Sequence, residues 1–221
     1  MEQTMLAKAV RRLLTRFQKT PHAYFHEREL HAEFFGMVRS ESGTCSTSDG
    51  KKIHLLRYEY ESLNRYSGRA YDQPAAEGGT TAAFDFALLR KDFVKCNDLL
   101  TVINKHEPRR RSIRDKWSYE QASPAVEAAV EFKMAHRVLG PIGDGRINQL
   151  ANGMLQDCRK LRCERVAHAV VIGMSHGPLP TCEAAKTIIC DCKKVWGKPY
   201  WKGQLVVWIV TPEHLLSSDD L

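Results

Sequence analysis

The sequence predicts an α/β fold, a mixed central sheet with helices on both faces. Three observations carry this. Residues 51–63 and 125–135 alternate apolar and polar side chains with a period of two, as strands do, and the short apolar run 81–89 between them reads as a strand as well. Residues 143–161 and 182–196 repeat their apolar residues at helical spacing. Between and after those helices stand two short, continuously apolar runs, VAHAVVIGM and LVVWIV, as expected of strands covered on both sides. Antiparallel strands followed by β-α-β units give a mixed sheet.

The elements follow in order. Leu6, Val10, Leu13, Leu14 and Phe17 place an amphipathic helix over residues 5–18. Pro21 interrupts, and residues 24–38 form a second helix with Leu30, Phe34, Met37 and Val38 as its stripe. The polar run SESGTCSTSDG has turn composition throughout. KKIHLLRYEYESL is a strand, and a loop then leads to the strand TAAFDFALL. Within residues 90–124, DFVKCNDLLTVINKH reads as a helix and is followed by Arg109, Arg110 and Arg111. AVEAAVEFKMA is the third strand. In the helix after it, Ile147, Leu150, Ala151, Met154, Leu155, Cys158 and Leu161 share a face. Thr181 has the chemistry of an N-cap for the last helix, in which Ala185, Ile188, Ile189, Cys192 and Val195 face inward.

At 221 residues the chain suits a single domain over 1–221 that buries a full core. Seven cysteines, an odd number with no CxxC pair, argue against a disulfide framework and for a reducing, cytoplasmic setting. A metal site on Cys158, Cys163 and Cys182 competes with the plainer reading of buried thiols. No apolar run approaches membrane-spanning length, so no membrane partner is expected. The net charge of +7 fits a polyanionic partner, and nucleic acid is the commonest one.

The chemistry is carried by charges inside apolar strands. Asp85 stands between Phe84 and Phe86, and Glu131 and Lys133 are two apart in the third strand, so they project from one face. Such charges are costly unless paired or metal-bound. These residues and the order of elements resemble the PD-(D/E)xK, or restriction-endonuclease-like, nuclease superfamily, from the helix at residue 24 to the strand ending near residue 210. The resemblance implies an αβββαβ core. It implies Asp85 and Glu131 as ligands of Mg²⁺, with Mn²⁺ able to substitute, and Lys133 as the catalytic lysine. Phe84 stands where the family has proline, and forty-five residues separate Asp85 from Glu131 where the family has a short hairpin. Many members add a glutamate from the preceding helix. Of Glu27, Glu29 and Glu33, helical phase puts Glu27 nearest the centre of the apolar stripe and Glu29 well away from it.

The expected activity is metal-dependent hydrolysis of phosphodiester bonds, with DNA as the expected substrate and endonucleolytic cleavage as the expected mode. Residues 90–116 hold nine Lys and Arg against four acids, most of the protein's excess charge. This basic insertion, about 90–124, leaves and rejoins the sheet between the two metal-binding strands. It is therefore expected beside the site, with Arg109, Arg110 and Arg111 on DNA phosphates; the alternative is a solvated loop. The competing readings of function are a catalytically silent nucleic-acid-binding module and a nuclease subunit active only in a larger defence or transposition complex. Cutting both strands calls for two active sites, which a homodimer or a larger complex would supply.

Overall fold

A computed structural model describes residues 2–66, 80–103, 125–135, 144–179, 181–198 and 203–219. Helix α1 (Glu2–Lys19) leads through a 3₁₀ turn (Pro21–Ala23) to α2 (Glu27–Val38). The expected second helix thus starts three residues late, for a local reason. The Glu29 carboxylate accepts the backbone N–H groups of Phe25 and His26, closing the helix N-terminus there. The polar run beyond α2 is not all turn. Thr44–Ser46 (β1) pairs antiparallel with Lys52–His54 (β2) as a small separate ladder.

The main sheet has six strands in the order β3 (Leu56–Tyr66), β4 (Thr80–Leu89), β5 (Val126–Ala135), β6 (His168–Ser175), β7 (Gln204–Val210) and β8 (Leu215–Ser217). β5, β6 and β7 are parallel, and the remaining pairs are antiparallel. Between β4 and β5 the chain forms α3 (Lys91–Cys96) and α4 (Leu99–Ile103) in place of one longer helix. Asn97 donates its side-chain amide to Phe93 O and the Asp98 carboxylate accepts the Thr101 N–H, so these two side chains end one helix and begin the next. The crossovers are α5 (Asp144–Cys163) and α6 (Cys182–Trp196), the latter capped by the Thr181 hydroxyl. Among the described residues, no helix is long and apolar enough to cross a membrane.

The sheet separates two apolar layers. On one face α2 lays Phe34 against Phe86 and Phe132, and α1 sets Arg11 over Trp208. On the other face α5 covers β5 and β6. There Gly173 lies so close to Met154 that an added Cβ would meet the sulfur at 2.5 Å. The mixed α/β architecture expected from sequence is therefore present.

A candidate metal centre in the notch between β4 and β5

The β4–β5 ladder runs from Leu89 and Val126 to Phe86↔Val130 and stops there. Beyond that pair the two strands part, at the C-terminal half of β5. In open α/β sheets that is the end where ligands bind. The parting leaves backbone N–H groups of β5 without a β4 carbonyl, and acidic side chains take them. Asp85 Oδ2 accepts the Phe132 N–H at 2.7 Å, and Glu27 Oε2 accepts the Met134 N–H at 3.1 Å. β3 is irregular opposite Asp85. The β3–β4 ladder pairs Tyr58 with Phe86 and Tyr60 with Phe84 but skips the residues between, and Glu59 of β3 has a left-handed φ of 48°. A non-glycine residue held there stores strain of the kind found at functional sites.

Three donors converge in the notch. One atom each from Glu27, His31 and Asp85 lies within 4.8 Å of the others, the only such grouping among the described residues. Glu27 begins α2, where the helix dipole favours a carboxylate, and His31 follows one turn later on the same side. His31 Nε2 stands 3.6 Å from Asp85 Oδ2 and 3.9 Å from Glu27 Oε1. Burial pushes the Glu27 carboxyl above its ordinary value, with Lys133 working against it. Burial acts the same way on Asp85, but His31, the Lys133 charge and the Phe132 N–H together outweigh it and hold that carboxyl low.

Of the three helix acids, Glu27 is the one in this grouping. Glu29 caps α2, and Glu33 pairs with Arg16 and accepts the Tyr24 hydroxyl.

Glu131 is engaged elsewhere. Its carboxylate is fully buried and ion-paired to Lys160 of α5 at 2.8 Å. Lys160 also reaches Asp157 at 3.2 Å and donates to Ala83 O at 2.8 Å, so its ammonium fills the notch from the α5 side. Burial holds the Glu131 carboxyl well above its ordinary value despite Lys160, and the Asp85 and Asp157 charges add to the rise. Lys133 lies between the two groups. Its ammonium is 3.1 Å from Asp157 Oδ2 and donates to Phe132 O, and its charge acts on Asp85, Glu27 and Glu131 alike. Burial would lower the Lys133 amine, but Asp157 and the other carboxylates raise it above the ordinary lysine value, so it is a cation at neutral pH.

The structure thus brings Glu27 to Asp85, sets Lys133 beside them and engages Glu131 with α5. Sequence reasoning missed His31, Asp157 and Lys160. The spacing of Glu27 and His31, i and i+4 on one helical face, was a usable signal for the first.

The basic insertion is rooted at the strand ends away from the notch. Arg90 N–H donates to Ala125 O, closing the insertion at the end of the ladder away from the notch. Those roots lie about 17 Å along β4 from Asp85 and about 23 Å along β5 from Phe132. Connectivity alone therefore does not set the insertion beside the site, because it joins the strand ends away from the notch. Arg109, Arg110 and Arg111 lie outside the described residues. Among the described residues the cysteines form no metal grouping. A separate apolar cleft of about 290 Å³ lies under α1 against Val170, Val206 and Trp208. Comparison with family models, curated proteins and solved structures finds no match.

Proposed function

We propose that the protein is a cation-dependent phosphodiesterase of the PD-(D/E)xK type, acting on nucleic acid, with DNA as the preferred reading. The single observation that carries it is the notch, where Asp85 and Glu27 converge beside the Lys133 ammonium at the C-terminal end of a central strand. A divalent cation there would supply Lewis-acid polarisation of a phosphate and a water of lowered pKa. Asp85 and Glu27 hold hard oxygen donors in place through the β5 backbone. Lys133, being charged, serves to orient the attacking water and to offset charge on the phosphoryl oxygens, not to remove a proton. The substrate is expected to be held by the protein's excess positive charge. Endonucleolytic action and assembly as a homodimer or a nuclease subunit of a larger complex belong to the same proposal.

A specific observation favours a second reading, a catalytically silent nucleic-acid-binding module. Glu131 is fully buried and held by Lys160, as a structural ion pair would be. One experiment separates the two readings. Plasmid, linear, single-stranded and branched DNA, with RNA alongside, are incubated with the protein in Mg²⁺, Mn²⁺ or EDTA. The nuclease reading expects cleavage with a divalent cation and none in EDTA. Binding without cleavage under every cation supports the silent module.

A further inference from the structure

We propose that the notch prefers Mn²⁺ to Mg²⁺, the ion being taken by His31 Nε2 together with Glu27 and Asp85 instead of by Asp85 and Glu131. The inference rests on the reading of the notch as a cation site, but not on nucleic acid as the substrate.

His31 is only 7% exposed, and its Nε2 has no hydrogen-bond partner. A buried ring nitrogen whose neighbours stand beyond hydrogen-bond distance calls for an explanation. This one points at two carboxylates, at 3.6 and 3.9 Å. Ligands about 2.1 Å from one cation lie at most about 4.2 Å apart. The observed limit of 4.8 Å therefore closes with small side-chain rotations. The ligands are already braced. Asp85 Oδ2 and Glu27 Oε2 accept β5 backbone N–H groups, which fixes both carboxylates, and the oxygens facing His31 Nε2 are Asp85 Oδ2 and Glu27 Oε1. The imidazole is packed by Tyr58, Phe86 and Phe132, and its Nδ1 faces the Tyr58 hydroxyl at 3.4 Å. A group on the far nitrogen fixes ring orientation and tautomer, as outer partners of metal-binding histidines do.

The donor set decides the class of ion. Mg²⁺ prefers oxygen donors in a strict octahedron and keeps its waters, whereas the first-row transition dications bind an imidazole nitrogen better than Mg²⁺ does, and Mn²⁺, the hardest of them, also suits two carboxylates. Glu131 lies outside this grouping, with its Oε1 ion-paired to Lys160. It holds Lys160 against Ala83 O and acts on the site through position.

The test uses the full chain stripped with EDTA and then titrated with Mn²⁺ or Mg²⁺ alone. Calorimetry gives the affinities, and pulsed electron paramagnetic resonance of the Mn²⁺ form reads nitrogen coordination. The expected result is a single bound Mn²⁺ with ¹⁴N modulation. In His31→Gln that modulation is lost and Mn²⁺ affinity falls by about tenfold or more, with Mg²⁺ affinity little changed. Glu131→Gln keeps the nitrogen signal. The wild-type spectrum decides the matter alone should either variant fail to fold. Absence of ¹⁴N modulation, or equal Mn²⁺ and Mg²⁺ affinity, overturns the proposal. Mn²⁺ bound through nitrogen without cleavage of any substrate would leave it standing and remove the nuclease reading. Cleavage with Mg²⁺ and no nitrogen signal would do the reverse.

Discussion

Asp85 takes the place of a missing backbone carbonyl. Where the β4–β5 ladder gives out, its carboxylate accepts the Phe132 N–H that β4 no longer satisfies. Asp85, Glu131 and Lys133 were legible as candidates because a charge inside an apolar strand is conspicuous in sequence. Asp157 and Lys160 were not, since Asp and Lys on an amphipathic helix read as surface residues by default. Yet both are nearly fully buried, and Lys160 neutralises Glu131. Removing one member of such a pair strands a buried charge. Lys160→Met should therefore lower stability by about 3–5 kcal/mol, and adding Glu131→Gln should recover most of that decrease. Urea unfolding of the two variants checks this. Equal stability of Lys160→Met and wild type would show that the pair is better hydrated than its burial implies.

At the scale of elements, the long, strongly periodic helices and strands were legible, but β1, β8 and the break between α3 and α4 were not. A three-residue strand offers too few positions for alternation to show. The break depends on which backbone groups Asn97 and Asp98 reach. The notch was invisible because the end of a ladder is a tertiary property. Two glycines show how α5 is fitted to the sheet. A Cβ at Gly153 would stand 3.1 Å from Cδ of Lys133, so this mid-helix glycine makes room for the lysine stem. Gly153→Ala should gain helix propensity of up to about 1 kcal/mol and push Lys133 aside. The expected outcome is a melting temperature unchanged or higher, with slower cleavage. Undiminished cleavage would show that the lysine position is not critical. Gly173→Ala forces a methyl group into buried Met154 and should cost about 1–3 kcal/mol, measured by denaturant unfolding.

At the scale of the whole molecule, electrostatics sets the pH response. Burial alone would lower the Lys133 and Lys160 amines. Asp157 chiefly opposes this at Lys133 and Glu131 at Lys160, and both amines end above the ordinary lysine value. In the unfolded chain lysine titrates near about 10.4. Their stabilisation is thus whole below that pH and is lost as pH climbs through and above it. Thermal melts from neutral to alkaline pH should show this decline, and a Lys160→Met/Glu131→Gln double variant should show a shallower one. The proposed binding of nucleic acid is tested separately. Replacing Arg109, Arg110 and Arg111 with Ala should flatten the dependence of log affinity on log salt by about 0.9 for each phosphate that is no longer neutralised. Cation affinity in the notch should be unaffected. An unchanged salt slope would reduce the insertion to a solvated loop. The central claim is that the notch cleaves phosphodiester bonds with Lys133 acting on the reaction itself. Its most direct measurement is single-turnover cleavage of labelled DNA by wild type and Lys133→Ala in saturating Mn²⁺, with DNA affinity measured in parallel. The account predicts a rate lower by on the order of 10²-fold or more at nearly unchanged affinity. Cleavage at the wild-type rate by Lys133→Ala would contradict it.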